Sequence, residues 1–258
     1  MSDRAQVQVY VCPVSRVPQD HLVLSYYLGF LSSAEKLRYD QYHPKAARLF
    51  LISRVLVKTV LADKLGISPY EIKLQLHPNG KPFVQGSKAV YFNITHSADV
   101  IILAVTEEGE IGVDIEQVDR EFEWRRVDSV LDLSEIEWIK EKELTDSSSV
   151  YQRFFQIWTL KEAYIKCTGE GMSRHLKMLN FHILPEHIQF LDSTNDAQKT
   201  EEYYFESYIY DSNFIFSICL KQSRNIECFN LDCFQLLPFI SMHRITPTPC
   251  KYNEIKSL

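Results

Sequence analysis

No stretch of this chain is apolar for long enough to cross a bilayer, so no membrane-spanning helix is expected. The opening MSDRAQVQVYVCPVSR lacks a basic segment followed by an apolar run and a small-residue cleavage site, so no secretory signal is expected either. Basic residues are in the minority, 28 against 34 acidic, and the net charge of −6 gives no global attraction to nucleic acid or an anionic membrane. Any anion site must therefore be a local basic patch. The six cysteines, Cys12, Cys167, Cys219, Cys228, Cys233 and Cys250, form no C-x-x-C pair and have no zinc-site spacing. They read as reduced, mostly buried thiols of a cytoplasmic protein. Low-complexity sequence is confined to Ser147–Ser149, which reads as a loop.

What is present suits a packed fold. A 45% hydrophobic fraction over 258 residues can bury a core in one large domain or two of ordinary size. Gln6–Pro13 alternates as a half-buried strand. Ser32 with Glu35, Ser68 with Glu71 and Ser134 with Glu137 mark helix starts by the capping-box pattern. Ala46–Leu65 and Val150–Cys167 carry helical spacing and stop at Gly66 and at Gly169 with Gly171. Glu71–His77, Val90–Thr95, Val100–Thr106 and Ile111–Glu116 read as strands, with turns at Asn79-Gly80 and residues 107–110. Tyr203–Tyr210 and Phe214–Leu220 form a hairpin, and the tail from Thr246 reads as loosely held. This order predicts an α+β protein with an N-terminal half, 1–117, and a C-terminal half, 118–258.

Five elements carry chemistry. In Ile111-Gly112-Val113-Asp114-Ile115-Glu116, a strand turns Asp114 and Glu116 to one face. Like charges so close call for a hard cation, or else both face water. In WTLKEAYIK, a helix puts Trp158, Glu162 and Lys166 on one face. Glu162 can complete a three-carboxylate set there, or form an ordinary surface pair with Lys166. His96 ends the FNITHS strand between hydroxyls and suits a phosphate ligand or a loop histidine. Lys81-Pro82 follows a tight turn and holds a lysine on a stiff stem, or is part of an ordinary hairpin. Lys36, Arg38, Lys45, Arg48, Arg54 and Lys58 are a basic set or a solvated helix face, with Arg48 and Arg54 spaced to share roughly one face.

Taken in order, GKP, FNITHS, IGVDIE and WTLKEAYIKCTGEG resemble the 4′-phosphopantetheinyl transferase superfamily, in its larger single-chain type that activates non-ribosomal peptide, polyketide and fatty-acid synthases. The resemblance runs from about Glu35 to Gly171. It implies a pseudo-dimer of two similar α+β halves, each with helices on a mainly antiparallel sheet, and coenzyme A in the cleft between them. It implies Mg²⁺ on Asp114, Glu116 and Glu162. Lys166 lies near the phosphates and the reacting centre. Coenzyme A is contacted by Lys81 and Pro82, by Thr95 and His96, by Lys161 and Lys166, and by Arg48 for the 3′-phosphate, with Arg54 and Arg38 as further candidates. The reaction is attack of a carrier-protein serine on the β-phosphorus, releasing 3′,5′-adenosine bisphosphate. The catalytic set is Glu162, Lys166 and Asp114, with Glu162, or a water held beside it by the metal, as base.

Two other readings use the same residues. A Mg²⁺-dependent phosphoesterase or nucleotidyl transferase explains the carboxylates but not the lysine, histidine and tryptophan pattern. An inactive homologue that only binds carriers has no need of mutually repelling acids. The expected partners are apo acyl or peptidyl carrier domains, with no nucleic acid or membrane, and the protein is expected to act as a monomer. Arg120–Lys142, with Phe122, Trp124, Arg125 and Arg126, is the candidate carrier-docking stretch, unless Trp124 is buried and the arginines pair with Glu121 and Glu123.

Overall fold

The computed structural model describes residues 5–86, 90–118, 130–141, 147–171, 176–184, 186–193, 202–221 and 229–250. Among these, no helix is long and apolar enough to cross a membrane. The architecture is α+β, with thirteen strands and five α-helices among the described residues.

The first sheet runs in the order β12-β11-β1-β5-β4. Its strands are β1 (Ala5–Pro13), β4 (Tyr91–Ser97), β5 (Val100–Thr106), β11 (Phe229–Leu237) and β12 (Ser241–Ile245). The second runs β13-β9-β10-β6, with β6 (Ile111–Gln117), β9 (Tyr203–Tyr210), β10 (Phe214–Lys221) and β13 (Thr248–Pro249). Two small hairpins, β2 (Leu74–Leu76) with β3 (Pro82–Val84) and β7 (Leu179–Ile183) with β8 (Ile188–Asp192), stand apart from these sheets.

The sheets pack face to face. Val7, Val9 and Val11 of β1, with Ile102 and Ala104 of β5, meet Ile111, Val113 and Ile115 of β6 and Phe216, Ile218 and Leu220 of β10. The opposite face of the first sheet, with Tyr10, Cys12, Ile101 and Leu103, packs on α3 (Pro44–Leu65) through Leu51, Ile52, Val55 and Leu56. The outer face of the second packs on α5 (Ser147–Thr168), where Ile215 and Cys219 meet Phe155, Leu160 and Ala163. The layers are therefore helix, sheet, sheet, helix. β5 is wholly buried, as a strand covered on both faces must be.

Local signals mostly act where they stand. The Ser32–Glu35 box forms both of its bonds and opens α2 (Ser33–Gln41). Gly66 closes α3 at φ 64°. The box that opens α4 (Leu133–Lys140) is Asp132 with Glu135, two residues before the expected Ser134–Glu137 pair. The hairpin of β9 and β10 turns at Asp211 and Ser212, both at positive φ. The tail is held as far as Cys250, which is buried and donates its backbone N–H to Ser207 O. The five described cysteines are buried and free.

The sheets do not divide the chain at 117/118. β6 belongs to the expected N-terminal half but pairs antiparallel with β10 in the second sheet. β11 belongs to the expected C-terminal half but pairs parallel with β1 in the first. Helix α1 (His21–Leu28), β3, β7, β8, β11, β12 and β13 are elements that the sequence pattern left unmarked, and Ser147–Ser149, expected as a loop, begins α5.

Gly112 sets the distance between α5 and β6. A Cβ there would lie 2.0 Å from Ala163 O and 2.5 Å from Cys167 N, both backbone atoms. Gly112→Ala is expected to destabilise by about 1–3 kcal/mol, because α5 must lift off the sheet. Chemical denaturation that shows no loss would contradict this close contact.

Candidate active site

β6 lies at the edge of the second sheet, beside the edge strand β4 of the first. No backbone ladder joins the two. Alternate side chains of β4 reach across instead, as the period of two allows. Asn93 Oδ1 accepts the Val113 N–H at 3.0 Å, and Ser97 Oγ accepts the Gln117 N–H at 3.1 Å. The free edge of β6 is thereby satisfied by polar side chains. Between them, Thr95 Oγ1 donates to Asp114 Oδ1 at 3.1 Å, and Ser97 Oγ donates to Glu116 Oε2 at 2.8 Å. Asn93 and Ser97 are parts of the site that motif reading missed; their signal was the i±2 relation to Thr95.

α5 supplies the other wall. Trp158, Glu162 and Lys166 are all partly exposed on one face, as their spacing predicts. Lys166 Nζ lies 2.5 Å from Asp114 Oδ1 and 3.0 Å from Thr95 Oγ1. Burial pushes the Asp114 carboxyl up to about 6 despite Lys166, with Glu116 and Glu162 adding repulsion. Glu162 is likewise raised, by burial and by Glu116, against the pull of Lys166. Asp114 Oδ2 is buried without a hydrogen-bond partner. Among the described residues, no three His, Cys, Asp or Glu side chains form a ready metal cage; the counter-charge at Asp114 is the Lys166 ammonium.

Two hollows border β4, the first of them at this cluster. One, about 360 Å³, is lined by Tyr42, Phe50, Ser53, Arg54, Thr95 and His96 among others. His96 points to the α3 side of β4, opposite Thr95. Desolvation and the charge of Lys166 lower its pKa, while Glu116 opposes them. Arg54 stacks over Phe50 at 5.0 Å, with its Nε 3.5 Å from Glu35 Oε1. The other, about 700 Å³, is lined by His77, Lys81, Pro82, Phe83, Tyr91 and Glu110 among others.

Three basic residues depart from the expected roles. Lys161 does not face the cleft. It is fully buried, and its Nζ donates to Glu135 Oε2 at 2.6 Å, Val130 O at 2.7 Å and Leu176 O at 3.2 Å. With its protons spent in the core of the second half, it is not a coenzyme contact. Arg48 donates to Val14 O and Val17 O, so it ties down the chain after β1. Six residues apart on a helix, Arg48 and Arg54 stand about 120° apart, and the hollow receives Arg54. The Lys81 ammonium is engaged by Glu110 Oε2, Ile111 O and Cys167 O, although the residue borders the larger hollow. Lys58, of the same basic set, is buried on Phe30 O and Glu35. Phe122, Trp124, Arg125 and Arg126 lie outside the described residues.

Comparison with known proteins bears on the same stretches. Residues 18–108 match the model of the N-terminal part of 4′-phosphopantetheinyl transferases, and residues 110–219 match that of the 4′-phosphopantetheinyl transferase superfamily. The 4′-phosphopantetheinyl transferase HetI of Nostoc is 31% identical over 56% of this chain and 62% of its own length. The L-aminoadipate-semialdehyde dehydrogenase-phosphopantetheinyl transferase of Xenopus laevis is 30% identical over 60% of this chain and 58% of its own. The 4′-phosphopantetheinyl transferase gsp of Aneurinibacillus migulanus is 29% identical over 59% and 62%. The chain thus aligns with about three fifths of the length of these relatives. With β4 falling in the first matched stretch and β6 and α5 in the second, both walls of the acidic cluster lie within matched sequence, and the chain belongs to the 4′-phosphopantetheinyl transferase superfamily of enzymes.

Proposed function

We propose that this protein transfers the 4′-phosphopantetheine group of coenzyme A to a serine of an apo acyl or peptidyl carrier protein, with release of 3′,5′-adenosine bisphosphate. The observation that carries the reading is the meeting of Asp114, Thr95 and Lys166 at hydrogen-bond distance, beside a hollow that holds Arg54 and His96. The two layered halves act in this reading as a pseudo-dimer with the active site in the cleft between them. The setting is cytoplasmic and the working unit a monomer.

Mg²⁺ fits the donor set. Asp114 Oδ2 is a buried oxygen without a partner, and repulsion among Asp114, Glu116 and Glu162 is the condition a hard cation relieves. Those three residues would hold it, and when bound it would neutralise charge on the pyrophosphate oxygens. The protein's own groups do the rest. Lys166 supplies positive charge where the pyrophosphate negative charge builds. Glu162, its proton affinity raised by burial, accepts the proton of the carrier serine. His96, Arg54 and Thr95 receive the nucleotide phosphates, and Pro82 with the Lys81 stem borders the coenzyme.

The deciding experiment is mass spectrometry of apo carrier proteins incubated with coenzyme A, Mg²⁺ and the enzyme. A mass gain equal to the phosphopantetheine arm is expected; a panel of carriers left unmodified overturns the reading. For the binding hollow, His96→Ala is expected to weaken coenzyme A binding by about 1.5–3 kcal/mol, the value of a hydrogen bond to a charged group. Calorimetry giving the wild-type affinity would remove His96 from the phosphate site.

A further inference from the structure

The turn between β2 and β3 belongs to the first half, yet it ends on the last turn of α5 in the second. Asn79 Nδ2 donates to Gly169 O, and Lys81 Nζ donates to Cys167 O at 3.1 Å. Gly169 adopts φ 73° and donates its N–H to Ile165 O, so it closes the helix. The carbonyls that Asn79 and Lys81 engage are those a helix end leaves without internal partners. The negative end of the helix dipole also favours a cation there. The same ammonium donates to Ile111 O at 3.2 Å and pairs with Glu110 Oε2, at the start of β6. Cys167 Sγ adds a bond to Glu110 O. One lysine thus ties the beginning of the strand that carries Asp114 and Glu116 to the end of the helix that carries Glu162 and Lys166.

We infer that Asn79 and Lys81 are positioning residues: the turn clamps α5 against β6 and fixes the Glu162 and Lys166 side chains relative to Asp114 and Glu116. The inference rests on the transferase reading above, and it assigns the Lys81 ammonium to alignment of the two walls rather than to coenzyme A. The local geometry of the turn separates from the clamp. Asn79 Oδ1 accepts the Lys81 backbone N–H at 3.1 Å within the turn, while Nδ2 alone crosses to Gly169. Asn79→Asp keeps the first bond and replaces the second with oxygen facing oxygen. Lys81→Met removes the ammonium and keeps an apolar stem beside the hollow.

The test is steady-state transfer kinetics of both variants, together with hydrogen exchange of backbone amides 165–169. A clamp lowers kcat by about three- to tenfold in Asn79→Asp and more in Lys81→Met, with KM for coenzyme A within about twofold of wild type. It also speeds exchange in the last turn of α5 in both. A raised KM with unchanged kcat in Lys81→Met makes the lysine a coenzyme ligand and overturns the inference. So do wild-type kcat and unchanged exchange in Asn79→Asp, whose surface position keeps it informative if Lys81→Met does not fold. Failure of the wild-type enzyme to modify any carrier strikes the transferase reading instead; the exchange experiment still tests the clamp.

Discussion

Glu162→Gln and Asp114→Asn each lower carrier modification by about 10²–10⁴-fold, the range for loss of a group acting directly on the reacting atoms. Neither costs stability. Glu162 is destabilised as an anion by burial and by Glu116, so neutralising it relieves repulsion inside the folded protein. Asp114 is the more instructive case. Its Oδ1 receives Thr95 and Lys166, bonds that an asparagine carbonyl can also accept, while its Oδ2 has no protein partner. A purely structural Asp114 is thus replaced by asparagine at little cost, and a site that depends on carboxylate charge is not. Thermal melts beside transfer assays at fixed Mg²⁺ make the comparison. Wild-type turnover in either variant would take that residue out of the catalytic set.

Lys161→Met destabilises the protein by about 3–5 kcal/mol, the cost of stranding a buried carboxylate by removing its partner. The partner is Glu135, and neither side chain reaches solvent. Lys161 also satisfies Val130 O and Leu176 O, while Glu135 accepts the backbone N–H groups of Asp132 and Phe181. One ion pair therefore ties together α5, the start of α4, β7 and the chain at residues 130 and 176. For a chain of this size the loss corresponds to a fall in Tm of roughly 6–20 °C. Adding Glu135→Gln to Lys161→Met removes the stranded charge and keeps an acceptor oxygen, so it restores part of the stability. Coenzyme A affinity of the folded fraction stays at the wild-type value. A variant of normal Tm with weakened coenzyme A binding would return Lys161 to the cleft.

The contrast between Lys161 and Glu162 shows what the sequence makes legible. The spacing of Trp158, Glu162 and Lys166 fixes their common face, and the strand period fixes that of Asp114 and Glu116. Both relations are internal to one element and survive folding. Lys161 is adjacent to Glu162 in the motif, but one residue along a helix is a rotation of about 100°, enough to turn it from the cleft into the core. Arg48 was placed by resemblance in a stretch of loose register, and its guanidinium meets carbonyls of a segment that no local pattern links to α3. Asn93 and Ser97 lie on the same face as Thr95, yet their function exists only once β6 lies alongside. β11 was unreadable for the same reason, since its partner β1 lies at the other end of the chain, and β12 follows from it as the second strand of a hairpin.

The parallel pairing of Ala5 with Phe229 and of Val11 with Gln235 has a consequence for synthesis on the ribosome. β1 is the interior strand between β5 and β11, so one of its edges stays without a neighbour until β11 has been translated. Closing that edge joins residues more than two hundred positions apart, which makes it a late and slow event in folding. Until then the nascent N-terminal half presents an apolar strand edge, the kind of surface on which chains associate and chaperones act. The last strands of the first sheet thus act as its cover, and cutting the protein between its two halves would leave neither half a complete sheet.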